Sequence, residues 1–171
     1  DPGYLERRAA EISTSRSIGR AAPGTPGGKT SQFAPGTSSL GLSTTHMSIV
    51  DANGNAVSMT TSIENAFGSR MMVGGFLLNN QLTDFNFRPT VDGRPVANAA
   101  APGKRPRSSM SPTLVFDNQG RVVLAIGSPG GSRIIGYVVK TLIATLDWEM
   151  DIQQAIAMPN FTKRNTPTDL E

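Results

Sequence analysis

Residues 42–46 read Leu42-Ser43-Thr44-Thr45-His46, and they mark the border between two kinds of sequence. Upstream, residues 13–43 are a tract of Ser, Thr, Gly, Pro and Ala without an apolar period. Downstream, Thr45, Met47 and Ile49 alternate with His46, Ser48 and Val50, which is the period-2 pattern of a strand. An exposed tract that meets a strand at two threonines has the form of a processing site. Cleavage of the Ser43–Thr44 bond would give Thr44 a free α-amine beside its hydroxyl, so that one residue holds nucleophile and base. An α-amine has a pKa of about 7.7–8.0, suited to a general base near neutral pH. Threonines also favour strand starts because β-branched side chains suit a pleated backbone, so the pair alone admits both readings.

The 171-residue chain has room for one domain with a real core, and its 18 Gly and 12 Pro sit mainly in two tracts, which indicates long loops. The net charge is +3, and the basic residues are scattered apart from Lys104-Arg105-Pro106-Arg107. No aromatic residue interleaves with that cluster, so nucleic acid is not an expected partner. The absence of cysteine excludes disulfides, thiolate metal sites and cysteine nucleophiles. His46 is the single histidine and would have to serve any Ser-His-Asp triad, yet there is no Gly-x-Ser-x-Gly elbow. At a strand start it reads as a structural hydrogen-bonder. Neither a metal nor a cofactor is expected, because no carboxylates stand at ligand spacing around it. No signal peptide opens the chain and no apolar run reaches membrane-spanning length. The chain begins at Asp1 and reads as a piece of something longer, and its compartment is open.

Residues 4–12 are rich in helix formers and predict a short helix. The tract to Ser43 is a linker by composition. Residues 45–51 and 56–62 form a hairpin around Asp51-Ala52-Asn53-Gly54-Asn55, and one face of the second strand is small and hydroxylated. Phe76-Leu77-Leu78 reads as a short buried strand, and 86–107 as loop. A second hairpin joins 113–116 to 121–126 across Asp117-Asn118-Gln119-Gly120. Ile134, Ile135, Val138, Val139, Leu142, Ile143 and Leu146 recur at helical spacing. Asp151, with Gln154 three residues on, caps a last helix that ends at Met158-Pro159. The tail 160–171 is polar. Hairpins first and amphipathic helices later predict an α+β layered domain.

Three constellations carry chemistry. Gly127-Ser128-Pro129-Gly130-Gly131-Ser132-Arg133 joins a strand to a helix, where freed backbone N–H groups can receive an anion or oxyanion. It is neither a dinucleotide fingerprint nor a P-loop, and an ordinary tight turn would look alike. Ser108-Ser109 stand in a Pro-bounded loop and suit a small carboxylate, or simply make polar surface. Asn79-Asn80-Gln81-Leu82-Thr83-Asp84 ends an apolar strand with amides and one carboxylate, which can face an ammonium group or form a turn.

Together and in this order, Thr44-Thr45-His46, Asp51, Gly54-Asn55-Ala56-Val57, Phe67-Gly68, Leu78-Asn79-Asn80-Gln81, Asp84-Phe85, Lys104-Arg105-Pro106, Ser108-Ser109-Met110-Ser111-Pro112 and Gly127–Arg133 resemble the small subunit of the γ-glutamyltranspeptidases (glutathione hydrolases). The resemblance runs from about Thr44 to Phe161. It implies an N-terminal-nucleophile hydrolase with an αββα sandwich, present here in part. Residues 1–43 resemble the end of the large subunit and the linker to the autocleavage site, and 44–171 resemble most of the small subunit.

The resemblance implies that Thr44 cuts the Ser43–Thr44 bond and then attacks γ-glutamyl amides. Ser62 stands where a second threonine usually bonds the nucleophile. Glu64 stands where many members have Asn beside the substrate amino group. Gln81 and Asp84 match the residues that hold that amino group, Ser108 and Ser109 those that hold the α-carboxylate, and Gly130 and Gly131 the oxyanion hole. The span from Gly68 to Phe76 lacks the longer insert seen as a lid in some members, which implies an open site.

The implied donor is glutathione or another γ-glutamyl compound, and the implied acceptor is water, an amino acid or a peptide. The implied protein partner is the large subunit of the same precursor, and the implied location is periplasmic or extracellular. Two rivals stand beside this reading: an acylase or poly-γ-glutamate-processing relative with other donors, and a non-catalytic sandwich scaffold. The family's large subunit supplies a guanidinium to the substrate carboxylate, and no residue in this sequence takes that role. The 171-residue chain expressed alone is therefore expected to be inactive towards a γ-glutamyl anilide, and release of aniline by that product would overturn the expectation.

Overall fold

The computed structural model describes residues 1–28, 31–36 and 43–171. Within the expected linker, residues 29–30 and 37–42 lie outside the described residues. Helix α1 (Pro2–Ala9) starts where the Asp1 carboxylate accepts from the Tyr4 N–H and ends three residues before the expected boundary at Ile12. It buries none of its residues, so nothing but capping and propensity sets its length.

The first hairpin pairs β1 (Ser43–Val50) with β2 (Ala56–Glu64) antiparallel. Asp51 builds its turn: one carboxylate oxygen accepts from the N–H groups of Asn53 and Asn55 at 2.9 and 2.8 Å, while Gly54 takes φ 84°. The Asn55 side-chain amide, which donates to the other carboxylate oxygen at 2.7 Å, and these backbone bonds hold the Asp51 carboxyl below its ordinary pKa. The register places Thr44 opposite Ser62, Met47 opposite Met59 and Ile49 opposite Val57. On β2 the alternation is clean: Ala56, Ser58, Thr60 and Ser62 are half-buried, whereas Val57, Met59 and Thr61 are exposed. The small hydroxylated face is thus the one that packs inward.

After β2 the chain makes a short hairpin of β3 (Met72–Val73) and β4 (Phe76–Leu77) around Gly74-Gly75, both at positive φ. Here the expectation of a buried strand fails. Phe76 is exposed, as are Met71, Met72 and Val73, because the hairpin projects from the body with no layer over it among the described residues. A second departure lies in 86–107, where β5 (Thr90–Val91) and β6 (Arg94–Pro95) form a small ribbon. The linker joins it: Ala34 bridges Val96, both are buried, and the Arg94 guanidinium donates to the Ser31 and Phe33 carbonyls. Lys104 folds back onto the Ala97 and Ala99 carbonyls, so one charge of the basic cluster is a loop staple.

The second hairpin, β7 (Thr113–Phe116) with β8 (Val122–Ile126), repeats the turn chemistry of the first. Asp117 accepts from the N–H groups of Gln119 and Arg121 at 2.8 and 2.9 Å, and Gly120 has φ 79°. The hairpins pack together through Ser58, whose hydroxyl donates to the Ile126 carbonyl at 2.9 Å. Helix α2 (Ile134–Leu146) covers β8, and Ile126, Ile134 and Val138 form the buried core with Met110, Leu124 and Leu142 around them. Asp151 caps α3 (Ile152–Ala157) by accepting from Gln153 and Gln154, and Met158 ends it, as the sequence predicts. The buried Lys140 ammonium donates to the Met158 carbonyl at 2.9 Å and so ties α3 to α2. The polar tail is not featureless: β9 (Phe161–Thr162) pairs with β10 (Asp169–Leu170), and Arg133 meets Asp169 and Glu171.

His46 is structural. Its ring nitrogens share hydrogen bonds with Thr60 at 2.9 Å and Ser48 at 3.0 Å, and burial lowers its pKa. A Cβ at Gly127 would lie 2.2 Å from the ring, so Gly127 is glycine because the imidazole occupies that space. Gly127→Ala is expected to displace the ring and cost about 1–3 kcal/mol, read from the denaturation midpoint. In a His46→Ala background the same substitution should cost far less, and an equal cost in both backgrounds would refute the packing account.

Candidate active site

The β1–β2 ladder shifts register at its start: Ser43 pairs with Glu64, but Thr44 pairs with Ser62, so Ile63 is an extra residue. This bulge sits opposite the Ser43–Thr44 bond. Glu64 has φ 75°, which a residue with a Cβ adopts only at a cost of about 1 kcal/mol or more. The bend turns the chain out of β2, and the segment 79–84 returns beside it. Asn79 donates from its amide to the Ser62 carbonyl at 2.8 Å. Asn80 donates to the Glu64 carboxylate at 2.8 Å and accepts from the Asn65 N–H at 3.1 Å. A 3-10 turn over Gln81–Asp84 follows.

One recess gathers what the sequence scattered. Thr44, Ser62, Glu64, Gln81, Asp84, Ser108, Ser109 and Gly131 all line it, with Met110 and Ile134 as its apolar floor. The Thr44 hydroxyl donates to the Ser62 hydroxyl oxygen at 3.3 Å, and the same oxygen accepts from the Glu64 N–H at 2.9 Å. Thr45 is on the other face of the strand and exposed. Ser109 is half-buried and Ser108 exposed at the rim, before the Met110 N–H that Ser108 accepts from. Gly130 is not part of the lining. It precedes the buried Gly131 at φ 133°, where a Cβ would lie 2.6 Å from the Tyr137 ring, and Gly131 has φ 56°. Both backbone angles favour glycine, and the turn they form opens α2 and brings Gly131 into the same lining as Thr44. The β3–β4 hairpin contributes no lining residue.

Two carboxylates are buried on one wall: Glu64 is 7% exposed and Asp84 1%. Asp84 receives the Gln81 side-chain N–H. Its pKa is raised, first by burial and then by the Glu64 charge, against the lowering effects of the Gln81 bond and of Arg107. Such a wall carries negative potential and suits a cationic group. Ser108, Ser109 and Gly131, in the same lining, supply donors. A zwitterion with an amide at one end fits this distribution of charge. Among the described residues no group of three or more His, Asp and Glu could hold a metal ion.

Asn98 carries no sequence signal of function, yet it positions two walls at once. Its amide donates to the Asp84 carbonyl at 2.6 Å, and its oxygen accepts from the Arg107 N–H at 3.0 Å. An asparagine in an Ala-rich loop is not distinguishable, by composition, from any other loop amide.

The fold is that of the N-terminal-nucleophile hydrolases, present in part, with Thr44 at the start of a strand. The model of the γ-glutamyltranspeptidase family matches residues 1–171, and the chain belongs to that family. It is 39% identical over 176 residues to the glutathione hydrolase proenzyme of Pseudomonas aeruginosa, an alignment covering 99% of this chain and 29% of that protein. With the glutathione hydrolase proenzyme of Escherichia coli it shares 42% identity over 134 residues, covering 74% of this chain and 23% of that one. The chain thus spans about a quarter of the length of these relatives. Among solved structures, the γ-glutamyltranspeptidase from Pseudomonas nitroreducens complexed with L-DON superposes with TM-score 0.63 at 41% identity, over 70% of this chain and 65% of that chain.

The raised pKa of Asp84 fixes the sign of a stability effect. A carboxyl raised on folding stabilises the fold below the ordinary aspartate range, and that contribution is lost as pH rises through the folded value. Asp84→Asn is expected to raise the thermal midpoint at neutral pH, with the difference closing as pH falls to about 4. A lower midpoint for the variant at neutral pH would contradict burial as the main cause of the shift.

Proposed function

We propose that this chain is the catalytic part of a γ-glutamyl acyltransferase/hydrolase that acts on glutathione and other γ-glutamyl amides through an ester on Thr44. The observation that carries the reading is the Thr44–Ser62 hydroxyl contact at 3.3 Å, inside the same recess as Gln81, Asp84, Ser108, Ser109 and Gly131. Membership of the family, and the proenzyme names of its relatives, support it.

Maturation comes first. The Thr44 hydroxyl oxygen attacks the Ser43 carbonyl carbon, the C–N bond breaks, and the Thr44 nitrogen leaves as an amine that takes the hydroxyl's proton. Water then hydrolyses the ester, leaving a Ser43 carboxylate and a Thr44 with free amine and hydroxyl. In this reading Ser43–Thr44 is the boundary between the end of a large subunit and the small subunit, and the large subunit remains the partner.

In turnover the free amine accepts the hydroxyl proton while Oγ1 attacks the donor's γ-carbonyl. Ser62 accepts from the Thr44 hydroxyl and orients it. The N–H groups of Gly130 and Gly131 receive the developing oxyanion, worth about 3–4 kcal/mol per donor in comparable sites. The leaving amine takes the proton from the Thr44 ammonium. Glu64 and Asp84 face the donor's α-ammonium, Gln81 holds Asp84, and Ser108 and Ser109 hold the α-carboxylate. Water, or the amine of an amino acid or peptide, then attacks the ester and releases Thr44.

The test is processing of the full-length protein that contains this chain. Wild type is expected to run as two bands on a denaturing gel, the smaller beginning at Thr44, and Thr44→Ala as one. Two bands from Thr44→Ala, or a fragment beginning at Thr45, would overturn the assignment.

A further inference from the structure

Asn79 and Asn80 are neighbours, yet their amides reach different parts of the site. Asn79 donates to the Ser62 carbonyl at 2.8 Å and accepts from the Gln81 N–H at 2.5 Å. Asn80 donates to the Glu64 carboxylate at 2.8 Å and to the Thr83 hydroxyl at 3.2 Å, and accepts from the Asn65 N–H at 3.1 Å. Neither side chain is among those lining the recess. Each meets the recess only through another residue, Ser62 for Asn79 and Glu64 for Asn80.

We propose that the two asparagines divide the positioning of the site: Asn79 sets the strand end that carries Ser62, the partner of the Thr44 hydroxyl, and Asn80 sets the Glu64 carboxylate that meets the donor's ammonium. The inference rests on the proposed γ-glutamyl chemistry and deepens it.

The physical argument begins with the backbone. Glu64 follows a bulge and has φ 75°, so the ladder with β1 does not hold it beyond the Ser43 pairing. Its long side chain has several rotamers, and a buried carboxylate has a defined place only where donors fix it. Asn80 is the stronger of the two side-chain donors to it, since the Thr83 hydroxyl stands at 3.4 Å. The Asn65 N–H to Asn80 contact closes the loop, so the amide is itself held and cannot rotate away without breaking a second bond. Among the described residues Asn79 meets main-chain groups alone, the Ser62 carbonyl and the Gln81 N–H, and so couples the end of β2 to the start of the turn that carries Gln81 and Asp84. Loss of Asn80 loosens one charge. Loss of Asn79 shifts the backbone on which the nucleophile's partner stands.

The experiment compares two anilide donors in the full-length protein, γ-glutamyl anilide and glutaryl anilide, which lacks only the α-ammonium. Asn80→Ala is expected to raise KM for the γ-glutamyl donor about tenfold, with kcat changed by less than about threefold. Its KM for the glutaryl donor should stay at the wild-type value. In a Glu64→Asn background Asn80→Ala should have no further effect on KM, because its route to the donor is gone. Asn79→Ala is expected to lower kcat about tenfold on both donors alike and to slow the appearance of the two processed bands. A KM increase shared by both donors, an undiminished Asn80 effect in the Glu64→Asn background, or identical kinetic patterns for the two variants would overturn the division. A wild type inactive on γ-glutamyl anilide would overturn the reading and the inference together, whereas an active wild type with any of those patterns overturns only the inference.

Discussion

The candidate site depends on how β1 meets β2 at their open end. Thr44 pairs with Ser62, Ser43 pairs with Glu64, and the extra residue Ile63 lies between the two pairings. The regular part of the ladder delivers the Thr44 hydroxyl to Ser62. The bulge and the left-handed Glu64 then end the strand and swing the chain towards the segment that carries Gln81 and Asp84. An unbroken ladder would hold the backbone at Glu64 extended and give no such turn. The strain is offset by the Asn65, Asn79 and Asn80 contacts that surround the bend.

Around that pairing the chemistry is arranged by polarity. Hydroxyls on the inward face of β2 replace the apolar residues a core strand would show, because this face packs closely on the second hairpin through Ser58 and ends at the site in Ser62. The apolar positions Ile49, Val57 and Met59 lie on the exposed face instead. The buried hydrophobic core is displaced to β8 and α2, where Ile126, Ile134 and Val138 meet. One consequence is that the glycine turn between β8 and α2 adjoins the core through Ile134 while Gly131 lines the recess with Thr44. The site is therefore braced by hydrogen bonds on the Asp84 side and by hydrophobic packing on the glycine side.

Local chemistry was legible from residues. Asp51 and Asp117, each three residues before a glycine, announce the same hairpin turn twice, and both form it with nearly the same distances. The apolar period from Ile134 to Leu146 and the Asp151 cap give helices at the expected places. The errors share a cause. Phe76 was expected inside because it is large and apolar, but exposure is decided by what lies over the hairpin, which periodicity does not encode. The linker reads as an exposed tract by composition, but Ala34 is buried against Val96 by contacts more than sixty residues apart in sequence. Asn98 and the polar tail escaped for the same reason: their partners, Asp84 and Arg107 in one case and Arg133 in the other, are supplied by distant loops.

By itself the sequence determined the two main hairpins and the helices, the border at Ser43–Thr44, and the residue types that a γ-glutamyl donor asks for, because turns, caps, strand alternation and motif order are properties of neighbours along the chain. Only the tertiary structure decided that Thr44 is the one turned into the recess, that the bulge falls opposite its preceding bond, and that Glu64 and Asp84 share a buried wall. The reason is physical. Burial, and the raised pKa it gives Asp84, arise from low-dielectric surroundings assembled from separate segments, and no single segment contains those surroundings.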